Sequence, residues 1–513
     1  MTRTNAVIKN SFWEIVSKVM NMLLGFASRT VFIYFLGVTY LGINGLYSEI
    51  LAMLSLTELG FGTALIVAMY KPVAENDRKR VLQLLDFYKR VYRIIALAVA
   101  CIGLALLPFL QYIVKGADGL SLFNLRLYFV FFLSNTVIGY FVSYKFSYVH
   151  ALQKGYIVTN ISMTINFVTI IVQSIAIWLT KSFLVYIIVH TAILLISKAI
   201  KVVYLNRKFP ILKERPETRL SKEERAPIFK EVKGLALQQF SSVAIHSTDN
   251  IIISTLSGLG VAAVGLISNY TLITSSVLGF VVILFNTITA SFGNLVATST
   301  TEHYRKTFLD LNFVNFWLYG FCSIAFLILI PPFITLWLGR TFLIDGISFA
   351  LIILNCYLQG QSTVYNNVRI VKGDFNRDKW ISFTQACINL VVSAVCAYYL
   401  GLVGVYIGTI ASRLFFSIVR PIATYRFMTD KSPWDYFSRF IKYFLAVAFA
   451  CALTYFVCGF VLASVNVWTF LAATAIVAVL PNLIFLLLFF RDAEFKSVVR
   501  RVINIFGSII RKK

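Results

Sequence analysis

Long apolar runs follow one another along almost the entire chain, and short polar connections separate them. A helix needs about 20 apolar residues to cross a bilayer, so these runs predict about fourteen transmembrane helices. The pattern therefore predicts an all-α polytopic membrane protein. The predicted helices cover residues 11–37, 41–70, 92–114, 123–149, 156–180, 183–205, 233–257, 260–297, 311–338, 343–368, 380–400, 402–428, 438–462 and 466–490.

The composition agrees with this class and argues against others. Hydrophobic residues make up 59% of the 513 positions and charged residues 13%, whereas an ordinary soluble domain carries about 25% charged residues. The net charge is +25, but the basic residues lie between apolar runs, which favours contact with an anionic leaflet over nucleic-acid binding. The seven cysteines form no CxxC pair, so we expect no metal site, no disulfide framework and no cofactor.

Lysine and arginine are distributed asymmetrically between the connections. Every second connection is rich in them, as in 71–93 and 207–233, whereas the connections 37–41 and 257–260 carry none. The positive-inside rule therefore predicts that both termini and all basic connections lie in the cytoplasm. Residues 71–93 also show helical spacing of apolar positions, which predicts an amphipathic helix on the leaflet surface.

The two halves of the chain repeat each other. When Arg29 is aligned with Asp249, the first predicted helix falls on the seventh, and the two carry similar polar faces. Such a repeat predicts two pseudo-symmetric six-helix lobes around a central polar cavity. We expect the lobes at 1–206 and 234–428, a cytoplasmic linker with few anchors at 207–233, two further transmembrane helices in 429–490 and a cytoplasmic amphipathic tail at 491–513.

Arg29 and Asp249 are the principal candidate site residues. A charge inside a membrane span costs roughly 2.5–3.5 kcal/mol on insertion scales, so each should face protein or water rather than lipid. Two interpretations stay open for the pair. The charges pair across the lobes and lock one state, or Arg29 binds the anionic part of a substrate while Asp249 releases it or carries a proton.

Further polar positions extend the candidate cavity. Lys18 and Asn21 share the helix face of Arg29, and Asn250 follows Asp249. Lys145, in the fourth predicted helix, either snorkels to the interface or meets a phosphate at the inner mouth.

Three more residues complete the candidate set. Arg413 lies at mid-depth in the twelfth predicted helix and is either a cavity charge or a packing residue. For ion coupling, Glu58 and His246 join Asp249, with ordinary helix contacts as the alternative for both.

Five segments carry a resemblance to a known family. With them, the chain resembles polysaccharide flippases of the multidrug/oligosaccharidyl-lipid/polysaccharide exporter superfamily, in its capsule and exopolysaccharide branch, over essentially its whole length. The segments are residues 45–77 (GLYSEILAMLSLTELGFGTALIVAMYKPVAEND), 248–270 (TDNIIISTLSGLGVAAVGLISNY), 286–297 (NTITASFGNLVA), 336–339 (LWLG) and 401–413 (GLVGVYIGTIASR).

This resemblance implies a function and a mechanism. It implies a V-shaped pair of lobes that moves an undecaprenyl-diphosphate-linked oligosaccharide from the inner to the outer leaflet of a bacterial cytoplasmic membrane by alternating access. It also implies coupling to a proton gradient, a sodium gradient or the membrane potential. A partnership with a polymerase or a glycosyltransferase stays open.

Two other classes compete with the flippase. A drug or cation antiporter of the same superfamily would favour a cavity with excess carboxylate, whereas Lys18 and Arg29 favour an anion. A membrane polymerase or ligase would need a long outer loop for its catalytic residues, and the sequence has none. We therefore expect a transporter rather than an enzyme.

Overall fold

The chain is helical throughout the part that its computed structural model describes, residues 3–55, 61–117, 119–298, 301–372, 375–428 and 432–510. These ranges contain α-helices joined by turns and short 3-10 segments, and no strand. The predicted all-α class is confirmed. The α-helices are α1 (Arg3–Leu54), α2 (Phe61–Ala74), α3 (Arg78–Leu106), α4 (Leu110–Ile113), α5 (Leu122–Ala151), α6 (Gly155–Thr180), α7 (Phe183–Lys208), α8 (Lys222–Thr255), α9 (Gly260–Thr298), α10 (Thr301–Trp337), α11 (Gly346–Gln361), α12 (Thr363–Lys372), α13 (Phe375–Met428), α14 (Trp434–Val461), α15 (Val467–Phe489) and α16 (Ala493–Ile510).

Many of these helices are long and apolar enough to span a membrane. Among the described residues there are 11 such segments, which makes the chain a multi-pass membrane protein. Two of them, Ile15–Leu54 and Lys379–Ala423, each contain two of the predicted crossings. Within them Gly37 has φ 82° and Gly401 has φ 59°, backbone angles that only glycine adopts cheaply. The glycines mark the turns between crossings, and the predicted number of crossings is therefore approximate.

The chain folds into two compact units. The first unit comprises Met1–Asn269 with Ala394–Val405, and the second comprises Tyr270–Ser393 with Tyr406–Lys513. Two long helices, α9 and α13, each contribute to both units. The units thus divide the sequence differently from the predicted lobes, whose boundaries stay a prediction.

Helix α1 organises the first unit. It packs against α6 and α8, while α3 packs on α5 and α5 on α7. The fully buried Tyr47 of α1 donates a hydrogen bond from its hydroxyl to the carbonyl oxygen of Leu125 at 2.9 Å, which ties α1 to α5. Helix α1 also crosses the start of α9 closely, because a Cβ atom on Gly42 would overlap the backbone of Val261.

The segment predicted as a linker is anchored to the first unit. Helix α8 begins inside it with a capping box, in which Ser221 Oγ accepts from the Glu224 backbone N–H and the Glu224 carboxylate accepts from that of Ser221. Arg78 Nη2 lies 2.6 Å from Glu214 Oε1, and Arg80 also pairs with Glu224. The charges of the segment pair with those at the start of α3, and its role as a linker between lobes stays a prediction.

Aromatic packing holds the second unit together. Phe316 of α10 stacks on Tyr443 of α14, with ring centroids 4.4 Å apart, and Phe485 of α15 lies 5.1 Å from Phe316. The tail forms α16, which packs against α10. Its Arg501 and Ser497 bind the buried Asp310 at 2.9 and 2.7 Å.

Candidate functional site

Arg29 faces protein rather than lipid. The side chain is half-buried, and its Nη1 donates to Ser268 Oγ at 2.6 Å and to Asn269 Oδ1 at 3.5 Å, both on α9. Arg29 also lies within electrostatic range of Tyr186 on α7. The recorded hydrogen bonds of the guanidinium therefore go to neutral side chains of the first unit, which leaves its charge available to an anion.

The other charged candidate lies on a neighbouring helix. Asp249 and Asn250 are both half-buried on α8, which packs directly against α1. The fold thus brings the helices of Arg29 and Asp249 together within the first unit. The roles of these residues in substrate binding and ion coupling stay predictions.

Two ion-coupling candidates cannot be placed. Glu58 lies outside the described residues. The backbone of His246 belongs to α8, but its side chain is also outside them.

The remaining candidates on α1 are Lys18 and Asn21, and Asn21 contacts α6. Asn21 accepts a hydrogen bond from Asn166 Nδ2 at 2.6 Å and donates to Ser17 at 3.1 Å. Lys18 is half-buried one turn before Asn21. These side chains extend a polar face along α1 toward its N-terminus.

Lys145 is buried. The residue is only 7% exposed, and its Nζ donates to Asn206 Oδ1 on α7 at 2.7 Å. A lysine that snorkels keeps its ammonium in water, so this geometry disfavours the snorkelling interpretation.

Arg413 belongs to the second unit, apart from the other candidates. It is 7% exposed, and its Nε donates to Asn355 Oδ1 on α11 at 3.2 Å. The contact ties α13 to α11, and the choice between a cavity charge and a packing residue stays open for Arg413.

A cavity of about 490 Å³ lies in the first unit between α1, α5 and α7. Hydroxyl, amide and imidazole groups line part of it, between apolar side chains that form the larger share of its surface, and these polar groups donate and accept hydrogen bonds without net charge at neutral pH. Such a lining suits a neutral polar ligand such as a sugar. The lining residues are Asn44, Ser48, Leu51, Ala52, Ser55, Phe132, Asn135, Thr136, Tyr186, Ile187, His190 and Leu194.

Lys198 of α7 adjoins this cavity and Lys201 follows it on the same helix, and the sequence predictions missed both. Lys198 Nζ donates to the carbonyl oxygen of Asn135, a lining residue, at 3.0 Å. Lys201 Nζ donates to Ser162 Oγ on α6 at 3.0 Å. The signal that could have found them is in the sequence, because residues 119–213 contain no aspartate or glutamate at all. Cations in such a stretch have no nearby carboxylate along the chain to pair with.

A second group of contacts closes the end of the first unit that carries no basic connection. Val261 N–H donates to the carbonyl oxygen of Lys115 at 2.7 Å, and Lys115 Nζ donates to that of Thr255 at 2.9 Å. Ser254 Oγ donates to the carbonyl oxygen of Ile113 at 2.6 Å. We call these contacts between 113–116 and 254–261 the outer clasp, because the positive-inside rule predicts that this end faces outward. The clasp joins segments from the two halves of the sequence.

The helical arrangement is that of a class of membrane transporters. No family model and no curated protein matches the sequence. Solved structures of MOP superfamily transporters do match, however, with sequence identities low enough that the similarity establishes the fold alone.

Three of these structures show the extent of the match. The lipid II flippase MurJ, in an inward closed conformation, has a TM-score of 0.65 at 13% identity, over 94% of this chain and 99% of that one. An inward-facing multidrug resistance MATE family transporter has a TM-score of 0.60 at 14% identity, over 82% and 98%. A MOP superfamily transporter from Pyrococcus furiosus, described as having a binding pocket of reverse polarity, has a TM-score of 0.59 at 14% identity, over 82% and 95%.

Proposed function

We propose that this protein is a flippase that moves an undecaprenyl-diphosphate-linked oligosaccharide from the cytoplasmic to the outer leaflet of a bacterial cytoplasmic membrane, for capsule or exopolysaccharide biosynthesis. The observation that carries the proposal is the uncharged cavity of the first unit, whose lining combines polar and apolar side chains, with the cations Lys198 and Arg29 close to it. The similarity in fold to a lipid II flippase supports the same class of substrate.

The chemistry of the substrate matches this arrangement in two parts. Sugar hydroxyls need hydrogen-bond donors and acceptors, which Asn44, Ser48 and Asn135 provide. The diphosphate needs cations, and charge-assisted hydrogen bonds from lysine or arginine to phosphate are about twice as strong as neutral ones. The polyprenyl tail can stay in the hydrocarbon core throughout.

The proposed mechanism is alternating access between the two leaflets. The basic connections face the cytoplasm under the positive-inside rule, so the substrate enters from that side. Rocking of the predicted lobes then exposes the cavity to the outer leaflet. Asp249, Glu58 and His246 are the candidates for coupling to a proton or sodium gradient, and the chain performs no covalent chemistry on its substrate.

Reconstitution in liposomes tests the proposal. A lipid-diphosphate oligosaccharide is supplied in one leaflet, and its appearance in the other is measured for the wild type, Arg29→Ala and Lys198→Ala. Loss of one charge-assisted contact of about 1.5–3 kcal/mol should slow flipping roughly tenfold or more in each variant. Lys208→Gln removes an exposed lysine of the same helix and should flip at the wild-type rate.

The same assay separates the flippase from the antiporter. A wild-type protein that does not flip the lipid but exports cations in exchange for protons would replace this proposal with the antiporter. Wild-type rates in both Arg29→Ala and Lys198→Ala would remove the assigned anion site.

A further inference from the structure

Four basic residues lie at the end of the first unit that carries the basic connections. Lys89 and Arg93 lie in α3, Lys145 lies in α5, and Lys213 lies in the 3-10 segment that follows α7. Lys145 is within electrostatic range of Lys89 and Lys213, and Arg93 is within range of the neighbouring Tyr144. We call these four residues the inner basic cluster.

In the part of the chain that the structure describes, no carboxylate pairs with this cluster. Nearby carboxylates are already engaged, since Asp86 pairs with Arg90 at 2.7 Å and Glu214 pairs with Arg78 at 2.6 Å. Within the described residues, none of the four cluster cations forms an ion pair. A set of like charges held together in this way is unfavourable unless an anion binds among them.

Lys145 is the cation of the cluster for which a bound anion matters most, because it is buried. Its side chain is 7% exposed, yet its recorded hydrogen-bond acceptor is the neutral amide of Asn206. Burial of a charged group without an opposite charge is costly, so an isolated buried ammonium is rare in proteins. A basic residue that served only the positive-inside rule would lie in water, as Lys208 does.

The surroundings of the cluster suit a lipid rather than a free ion. Aromatic rings occur at the same end of the unit, where Tyr148 contacts Phe209 with ring centroids 6.0 Å apart and Lys154 lies over the Phe209 ring at 5.6 Å. Aromatic and basic side chains together are typical of the headgroup level of a membrane.

The cluster is separate from the cavity site. Asn206, which holds Lys145, lies eight residues beyond Lys198 on α7, a distance of about 12 Å along a helix. No cluster residue lines the cavity. From these observations we infer that the inner basic cluster binds the phosphate group of an anionic lipid in the inner leaflet, with Lys145 as its buried cation.

Two sources could supply this phosphate, and both have the same chemistry. One is an anionic phospholipid of the membrane, and the other is the diphosphate of a polyprenyl-linked substrate. Binding of the first requires no flippase activity, so this inference stands apart from the proposed function. If the cluster binds the polyprenyl diphosphate, it is a site that receives the proposed substrate before the substrate enters the cavity.

A thermal stability assay tests the inference without transport. The full-length protein is purified in a neutral detergent and titrated with short-chain phosphatidylglycerol, with phosphatidylcholine of equal chain length, or with farnesyl diphosphate. A ligand that binds only the folded state stabilises it by RT ln(1 + L/Kd), where L is the free ligand concentration, so the melting temperature rises with ligand concentration and with affinity. We expect phosphatidylglycerol to raise it by several degrees and phosphatidylcholine to have no effect.

Substitutions of cluster residues test whether the rise in melting temperature comes from binding at the cluster. Lys145→Met keeps the length of the side chain and removes its charge, so the apparent affinity for phosphatidylglycerol should fall roughly tenfold. Lys213→Gln changes an exposed residue and should weaken binding in the same direction, which keeps the test valid if Lys145→Met does not fold. Lys208→Gln is the matched control at the same end of α7 and should bind as the wild type does.

Each outcome has a defined meaning. Competition of farnesyl diphosphate with phosphatidylglycerol would support the inference and identify a site shared with polyprenyl diphosphates, whereas no competition would support a site for phospholipid alone. An equal shift in the wild type, Lys145→Met and Lys213→Gln would overturn it, as would the absence of any shift. A protein that binds phosphatidylglycerol here but flips nothing would retain this site and lose only the proposed function.

Discussion

Gly42 shows how a single residue sets the distance between two helices. A Cβ atom at this position would overlap the backbone carbonyl of Val261, and one on Gly265 would meet Val38 in the same crossing. Backbone cannot move aside as a flexible side chain can. The absence of both side chains therefore lets α1 and the start of α9 touch, which also brings Ser268 within reach of Arg29.

Gly42→Ala should consequently destabilise the protein. Forcing a methyl group into such a contact costs about 1–3 kcal/mol, and the melting temperature in detergent should fall. Gly459→Ala is the matched control, because Gly459 is a helical glycine with open space around its Cβ position. It should be neutral or stabilise by about 0.5–1 kcal/mol through helix propensity. Equal melting temperatures for the two variants would contradict the close crossing.

At this scale the sequence predicted some site residues and missed others. Arg29 is conspicuous because a charge inside an apolar run is expensive, and its protein-facing position agrees with that reasoning. Lys198 was not predicted because it belongs to no repeat between the halves, although the stretch around it lacks carboxylates. Ser268 and Asn269 could not be predicted as partners of Arg29, because neutral residues so distant in sequence leave no pattern.

Among the helices, α16 is attached to α10 by a small polar contact. Asp310 is 3% exposed and accepts from Ser497, and its carboxylate lies 2.9 Å from Arg501 Nη2. A buried carboxylate with two partners holds a terminal helix more firmly than an exposed ion pair would, since exposed pairs contribute only about 0–1 kcal/mol.

Asp310→Ala should therefore loosen α16 from the second unit. The loss of a buried charge-assisted contact costs about 1–3 kcal/mol, and hydrogen exchange of the α16 amides should become faster. Glu302→Ala provides the comparison, because Glu302 makes an ion pair with Arg305 on the same helix and its side chain is 70% exposed. If exchange in α16 is as fast in the Glu302 variant as in the Asp310 variant, the attachment does not depend on Asp310.

The bounds of individual helices were predictable only in part. Residues 71–93 have the apolar spacing of an amphipathic helix, but the structure ends α2 at Ala74 and continues α3 from Arg78 without a break to Leu106. Asp77 caps α3 by accepting from the Arg80 backbone N–H at 2.9 Å, so residues close in sequence determine where this helix begins. Its length is set by packing on α5, which apolar spacing alone does not report.

For the whole molecule, the sequence predicted the class but not the division into units. Apolar length and the distribution of basic residues are summed over many positions, so the all-α membrane class is robust to local errors. The boundary after Asn269 lies inside the continuous helix α9. The helical period of the sequence continues unchanged through this point, so only contacts between distant segments reveal the boundary.

The outer clasp provides a test of the proposed transport cycle. Alternating access requires the segments 113–116 and 254–261 to separate when the cavity opens to the outer leaflet. In the structure, a Cβ atom on Gly116 would lie 3.2 Å from the Gly260 Cα atom. The two backbones approach each other closely here, which makes positions 116 and 260 a candidate pair for a disulfide, whose Cβ atoms lie about 3.5–4.5 Å apart.

A Gly116→Cys/Gly260→Cys protein, made after replacement of the seven native cysteines, should therefore flip the lipid only when the new disulfide is reduced. Both glycines have φ +69°, and a Cβ atom on Gly260 would also lie 2.7 Å from the Lys115 carbonyl oxygen. Each substitution therefore costs about 1–2 kcal/mol of backbone strain, Gly260→Cys adds this steric contact, and each single variant serves as a control for these costs. We expect both single variants to flip with or without reductant, and the oxidised double variant to be at least tenfold slower than its reduced form. Wild-type flipping by the oxidised protein would mean that the clasp stays closed throughout the cycle. The cavity of the first unit would then have to release its ligand by another path.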